Sequence, residues 1–471
     1  MSNKSILARF SSSAVCVLFA RILAFIAVFG FNAVLARSLE PTDFGLFALL
    51  FSLATLTSLL ASCGMNRALV KVLAEDSAHE PSTVRKIVNL GVMTSIAAGL
   101  LVGVSAFLIC SQFLPAYQGT ARWTIAGLFG GIVLVRNIHF VLAETTRGFH
   151  ETNWSNLFGG PAGGPVPHLI FLIALIAVWF SLETTSLTVV LSVYLACFAI
   201  TLPPLARKLY SLKMDLDSAP ELSSLPMNYA SESPKQKFSA QSIWLLAIPL
   251  MLTQTFGLTL SQADIWLAGA LVVPASIAIY CAAQRMLGFL TIPLQISGTA
   301  IISFVPELIA KKKIKQLQEV VGLATFVSGI PGLLIGTVLF LFPEAILSFV
   351  FGEFYAQAAF ILKILVAGQL ICVLTGPCEI VLTMAGHQNK ALTVNAISAV
   401  AIFTLGPLGI HLGGIGGLAV AMCGVMIFQN LTNWWLAKRL VGVSTHFDLG
   451  YVPQLITRAK LLIRKGSLDA I

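Results

Sequence analysis

Among the ionisable side chains inside long apolar runs are Arg21, Arg136, His139, Asp264, Arg285 and Glu379. A charge at the centre of a bilayer costs roughly 2.5–3.5 kcal/mol on insertion scales, so each needs a partner or a task. Arg21 lies about nine residues into the first run, roughly 13 Å deep at 1.5 Å per residue, beyond comfortable snorkelling reach. It reads as an anion contact in a central cavity or as one half of a structural ion pair. Asp264 and Arg285 flank an outer turn near Val273, at depths of roughly 13 and 18 Å along antiparallel helices. They form either a structural salt bridge or a proton- or cation-responsive pair beside a pathway. Arg136 and His139, spaced i, i+3, share one helix face, with Glu144 following at the inner end; Arg136 either serves function or snorkels to that end. Glu379 sits beside Pro377, a carboxyl at a kink and a candidate for ion coupling or gating, whereas Lys363 is close enough to the outer surface to reach it.

The elements that position these groups are transmembrane helices. Of 471 residues, 57% are hydrophobic and 10% charged, against about 25% charged in a soluble domain; mean hydropathy is +0.89. About twelve runs reach the roughly 20 residues a spanning helix needs. Their continuity, without period-two alternation, excludes a β-barrel, so the fold class is an all-α polytopic membrane protein. Among the 29 Lys and Arg, only Arg37 and Arg122 fall on the side opposite the N-terminus, and Arg21, Arg136, Arg285 and Lys363 fall within spans. That bias places both termini in the cytoplasm. The start, with Lys4 and Arg9 before an apolar run, resembles a signal peptide, but the run is too long and lacks an A-x-A site, so it reads as an uncleaved first span.

The polar stretch Arg207 to Gln241 falls after six spans and reads as a flexible linker. The expected organisation is an N-terminal lobe over 1–205, a cytoplasmic linker over 206–241, a C-terminal lobe over 242–439 and a cytoplasmic tail over 440–471. Leu35-Ala36-Arg37-Ser38-Leu39 and Leu267-Ala268-Gly269-Ala270-Leu271 leave the first span of each half alike, a faint parallel repeat. In the tail, Pro453 to Lys465 mixes Leu and Ile with Arg458, Lys460, Arg464 and Lys465, the pattern of an interfacial helix on anionic lipid. The longest outer loop, Pro343 to Gln357, is too short for an external catalytic domain.

Nothing points to an enzyme, a cofactor or a metal site. The chain holds no Walker A sequence, no H-E-x-x-H and no G-x-S-x-G; transport must then draw on an ion gradient, the membrane potential or downhill flux. All eight cysteines lie in apolar blocks and read as small packing residues. The net charge of +9 is spread over loops between spans, which argues against nucleic acid. Gly-rich Phe158 to Pro167 and the in-span Pro249, Pro293, Pro331, Pro377 and Pro407 read as packing kinks or as hinges for alternating access.

Leu35-Ala-Arg-Ser-Leu-Glu-Pro-Thr-Asp-Phe-Gly-Leu-Phe-Ala-Leu49 resembles the first interhelical junction of bacterial polysaccharide (O-antigen) flippases, members of the multidrug/oligosaccharidyl-lipid/polysaccharide exporter superfamily. Asp264-Ile-Trp-Leu-Ala-Gly269, Ile279 to Arg285, Val305-Pro306-Glu307, Phe351 to Ala358 and Gly413 to Gly417 are similar in the same serial order. The resemblance implies about twelve helices in two six-helix lobes, a V-shaped bundle with a central cationic cavity. It implies a flippase moving undecaprenyl-diphosphate-linked oligosaccharide units between leaflets of the bacterial inner membrane, for O-antigen, lipopolysaccharide or exopolysaccharide synthesis. Proton or sodium antiport would drive it, with polysaccharide polymerase machinery as a partner. Arg21, Arg136 and Arg285 would then contact the diphosphate, and Asp264, Glu379 and His139 would couple ions or gate. Of these, Asp264 and Arg285 fall on the resembling motifs. A multidrug or cation antiporter of the same fold is the alternative; an intramembrane sugar-transfer enzyme fits the short outer loops poorly.

Overall fold

The computed structural model describes residues 3–75, 81–112, 119–149, 151–160, 163–181, 185–218, 240–302, 304–448 and 450. Helices joined by turns and short irregular segments account for the described residues, with no strand among them. The expected interfacial helix of the tail and most of the expected linker lie outside them.

Eight helices build the first part of the chain: α1 (Asn3–Ser38), α2 (Pro41–Ala61), α3 (Met65–Glu75), α4 (Pro81–Gln112), α5 (Thr120–Gly148), α6 (Thr152–Phe158), α7 (Pro165–Ser181) and α8 (Leu187–Ser218). The rest comprises α9 (Ala240–Leu271), α10 (Pro274–Ile301), α11 (Phe304–Ala310), α12 (Ile314–Leu341), α13 (Pro343–Phe351), a 3₁₀ turn (Glu353–Ala358), α14 (Ala359–Thr375), α15 (Cys378–Leu382), a π turn (Thr383–His387) and α16 (Gln388–Leu440). Pro at the first position of α2, α10 and α13 starts each helix where its missing N–H costs nothing.

Among the described residues, ten helical stretches are long and apolar enough to cross a membrane. Two local features reconcile this with twelve spans. The apolar α7 has only 17 residues, because the glycine-rich stretch before it cannot be helical. The final stretch, Cys378–Leu440, is broken at Gly413 and Gly414, where Gly414 adopts φ +57°; the break makes two crossings of it. The expected tenth span, 358–384, is likewise interrupted: Gly376, at φ +74°, and Pro377 end α14 before α15 begins. Three further expectations are corrected. The outer loop Pro343 to Gln357 is folded as α13 and the 3₁₀ turn. α8 continues through the predicted linker start as far as Ser218. Cys63 sits in the turn between α2 and α3 at φ +50°, rather than within a span.

The chain divides into two compact units, Met1–Trp266 and Leu267–Ile471. In the first, α5 is central, packing on α2, α3, α4, α6 and α8. Gly103 and Gly130 let α4 and α5 approach so closely that a Cβ on Gly103 would stand 2.9 Å from the Gly130 carbonyl oxygen. The first turns of α9 belong to this unit by packing: Ile243 and Ala247 share a core with Met65, Ala68, Leu69, Val72 and Val141.

In the second unit α10, α12, α14 and α16 pack together. After α16 an irregular strap, Val443–Phe447, closes one end of the unit. Gln318 on α12 pairs with Ser444 in both directions, its Nε2 donating to the Ser444 carbonyl at 2.7 Å and its Oε1 accepting the Ser444 N–H at 2.6 Å. Thr325 Oγ1 donates to the Thr445 carbonyl at 2.9 Å, Thr445 Oγ1 to the Thr375 carbonyl at 2.6 Å, and the Phe447 N–H to the Leu374 carbonyl at 2.7 Å. The Phe447 ring stacks on Phe326 at 5.3 Å.

Candidate functional site

In the first unit, α5 carries Arg136 and His139 one turn apart, exposed by only 2% and 1%. Arg136 Nη2 donates to Thr55 Oγ1 at 2.9 Å and Nη1 to the Phe51 carbonyl at 3.3 Å. Thr55 Oγ1 passes its own proton to that same carbonyl at 2.9 Å. The guanidinium also lies over the Phe51 ring, 5.1 Å from its centroid, a cation–π contact that strengthens with desolvation. Further along α5, buried Glu144 pairs with Arg147 at 3.3 Å.

Aromatic side chains from four helices wall the Arg136 charge in. Phe51 and His168 are 6.2 Å apart, Phe51 and Tyr194 6.0 Å, and Tyr194 and Phe171 4.9 Å edge-on. His139 meets Phe198 at 5.4 Å and Phe158 at 6.1 Å. The glycine-rich run places His168: its Nδ1 stands 2.8 Å from the Gly164 carbonyl, which fixes the ring. Gly163 at φ +98° allows the approach, since a Cβ there would lie 2.7 Å from both His168 and Phe198. The run also satisfies its own backbone, Gly163 N–H donating to Gly160 and Gly164 N–H to Phe158. The Tyr194 hydroxyl and His139 Nε2 are buried and make no hydrogen bond among the described residues. The arrangement is a fixed positive charge and two imidazoles held in a low-dielectric interior, where a charge acts over a longer range than in water.

Arg21 is exposed on α1. Asp264, near the end of the first unit, is 1% exposed, and its Oδ1 accepts the Ile265 N–H at 2.9 Å. From the same helix, Gln262 and Trp266 form a polar belt with Ser52 of α2: Ser52 Oγ donates to Gln262 Oε1 at 2.8 Å and accepts Trp266 Nε1–H at 2.9 Å. About two turns earlier on α9, Gln254 Oε1 accepts Asn66 Nδ2–H at 2.9 Å.

In the second unit, Arg285 is half-buried on α10 and Glu379 is exposed on α15, at the break after Pro377. Glu379 Oε1 accepts Asn395 Nδ2–H at 2.8 Å, and Asn395 Oδ1 accepts Gln429 Nε2–H at 2.9 Å. The relay joins α15 to both halves of the broken α16. The amides turn N–H groups toward the carboxylate, so the carboxyl oxygens of Glu379 are the atoms here that could take a proton or a small cation.

Sequence reasoning singled out Arg136, His139 and Glu379 as ionisable groups in apolar runs and passed over His168, the uncharged Thr55, Tyr194, Asn395 and Gln429, and the separate Ser52–Gln262–Trp266 belt. The signal that could have found them is the polar amide, hydroxyl or imidazole inside an apolar run, costly there unless bonded.

Two protein families match different parts of the chain. The family described as polysaccharide biosynthesis protein matches residues 10–153, and the MatE family matches residues 249–408. No curated protein sequence matches the chain. Among solved structures, it resembles an inward-facing multidrug resistance MATE family transporter of the MOP superfamily, with a TM-score of 0.62 at 11% identity over 91% of this chain and 98% of that one. The MATE multidrug transporter DinF-BH gives 0.61 at 15% identity over 93% and 97%. The lipid II flippase MurJ, in an inward closed conformation, gives 0.61 at 12% identity over 90% and 87%. These likenesses establish the fold, that of a multi-pass helical membrane protein. The first part of the chain is thus similar to a polysaccharide biosynthesis family and a later part to the MatE family, each match covering about a third of its length.

Proposed function

We propose that the protein flips undecaprenyl-diphosphate-linked oligosaccharide units from the cytoplasmic to the outer leaflet of a bacterial inner membrane, for surface polysaccharide synthesis. The observation that carries this reading is the polysaccharide biosynthesis match over residues 10–153, the segment that holds both Arg21 and Arg136. In this reading exposed Arg21 and half-buried Arg285 contact the diphosphate, since guanidinium groups pair with phosphate oxygens bidentately. Arg136, enclosed by aromatics, adds positive potential from inside its unit. Glu379 with Asn395 and Gln429 takes the coupling proton or sodium ion; Asp264 and His139 gate. Both termini are cytoplasmic, the tail rests on anionic lipid, and a polysaccharide polymerase receives the flipped units.

The second reading is a multidrug or cation antiporter, favoured by the MatE match over 249–408, the segment holding Asp264 and Glu379. Deleting the gene and following the leaflet position of undecaprenyl-linked units decides between them. The flippase reading expects units trapped on the cytoplasmic leaflet, rescued by wild type but not by Arg21→Ala or Arg285→Ala. Normal surface polysaccharide with new sensitivity to cationic drugs would sink it.

A further inference from the structure

Beyond the charged groups, the second unit contains a cavity of about 510 Å³ between α10 and α12, within the size range of small-molecule sites. Pro293, Ile296, Ser297, Ile301 and Phe304 line one side, and Val320 to Pro331 the other. The two hydroxyls in its lining are turned to their own helices: Ser297 Oγ donates to the Leu294 carbonyl at 2.9 Å and Ser328 Oγ to the Ala324 carbonyl at 3.0 Å. The lining therefore presents hydrocarbon, and exposed Phe304 and Val327 leave it open at the side.

Depth and charge say what fits. Eleven residues along α12, Val320 to Pro331, span roughly 16 Å at 1.5 Å per residue, about half of a ~30 Å hydrocarbon core. The cavity is thus one leaflet deep. Pro293 and Pro331 mark its deep end, where each lacks the N–H that would continue the helical ladder. At the opposite end, one to two turns before Val320, stand exposed Lys312, Lys313 and Lys315. Lys311 is occupied by Glu307, and with Glu319 counted the mouth keeps a surplus of positive charge.

We infer that this cavity holds the isoprene units nearest the head of a polyprenyl diphosphate in the cytoplasmic leaflet, with the diphosphate at the Lys312–Lys315 mouth. The assignment rests on the flippase reading for its substrate class and names a second, lateral holding site for that substrate. Its physical basis is a match in three respects: hydrocarbon walls for a chain, one leaflet of depth, and cationic groups at headgroup level for an anionic head.

The test uses the full-length protein in nanodiscs with a polyprenyl diphosphate bearing a diazirine on its first isoprene units, and a diazirine phosphatidylglycerol as control. Adducts mapped by mass spectrometry are expected on residues 293–304 and 320–331. Excess undecaprenyl phosphate should cut them about tenfold, while phosphatidylglycerol should not. Ala324→Trp, which fills the cavity, should remove the adducts. Lys312→Gln with Lys313→Gln and Lys315→Gln leaves the walls intact and should cut labelling by the diphosphate probe several-fold and weaken its competition by undecaprenyl phosphate, so a folding failure of the Trp variant does not decide the matter. Equal labelling by the phosphatidylglycerol probe, uncompeted, would show ordinary lipid contact and overturn the inference. A leaflet assay on the same preparation separates the two claims: flipping without adducts removes the holding site only, and adducts without flipping remove the flippase reading only.

Discussion

Arg136 Nη2 and Thr55 Oγ1 stand 2.9 Å apart in the interior of the first unit, with the Thr55 hydroxyl relaying to the Phe51 carbonyl. One hydroxyl therefore serves both as acceptor for a buried cation and as donor to a backbone oxygen that the cation also uses. Thr55→Val keeps the shape and removes both bonds. Losing a buried bond to a charged group costs about 1.5–3 kcal/mol, so the variant should melt several degrees early in detergent. Arg136→Met removes the charge together with its need for partners, and apolar replacement of a buried ion is often near neutral for stability. We expect near-normal melting and lost transport; early melting with transport intact would make Arg136 a purely structural group.

Glu379→Gln keeps the bond from Asn395 and abolishes the charge. The expected outcome is normal expression with transport in proteoliposomes that no longer responds to an imposed proton or sodium gradient. Asn395→Leu breaks the relay on both sides and should reproduce that phenotype. Gradient-driven rates equal to wild type in Glu379→Gln would remove the residue from coupling.

At Gly163 the backbone has φ +98°, and any Cβ meets His168 and Phe198. Gly163→Ala should destabilise by about 1–3 kcal/mol, the scale of a non-glycine residue held in such a region. Since the strain falls on His168, tryptophan emission from neighbouring Trp154, which stacks on Phe158, should shift along with the melting curve. An unchanged melting temperature would contradict the packing of the glycine-rich run.

Gln318→Leu removes both bonds to Ser444. At about 1 kcal/mol for each neutral bond, the strap after α16 should open more often. Limited proteolysis near residues 441–447 should then be several-fold faster than in wild type, with the helices uncut. Equal cleavage rates would mean that Thr445 and Phe447 hold the strap without Gln318.

The all-helical membrane class was legible because it is a matter of length: continuous apolar runs near 20 residues admit no other element in a bilayer. The two places where the count of crossings is subtle were also written locally. The glycine and proline run shortens α7, and Gly413 with Gly414 folds α16 back, since glycine alone reaches φ +57° without strain. Arg136 and His139, singled out as ionisable groups in an apolar run, are buried in the first unit, whereas Glu379, singled out in the same way, is exposed.

What composition and spacing determined, then, was the membrane-spanning fold and its approximate twelve crossings. Tertiary structure alone decided the rest. It assigned the start of α9 to the first unit, through Ile243 and Ala247 packing on Met65 and Val141. It enclosed Arg136 among Phe51, Thr55 and Tyr194, and it tied Glu379 to Asn395 and Gln429. It also folded the strap onto Gln318 and Thr325. Ser52 and Gln262 bond across 210 residues of sequence. Hydropathy and periodicity report each helix against lipid or water, whereas the pairing of uncharged polar groups depends on which helix faces meet after the chain has packed.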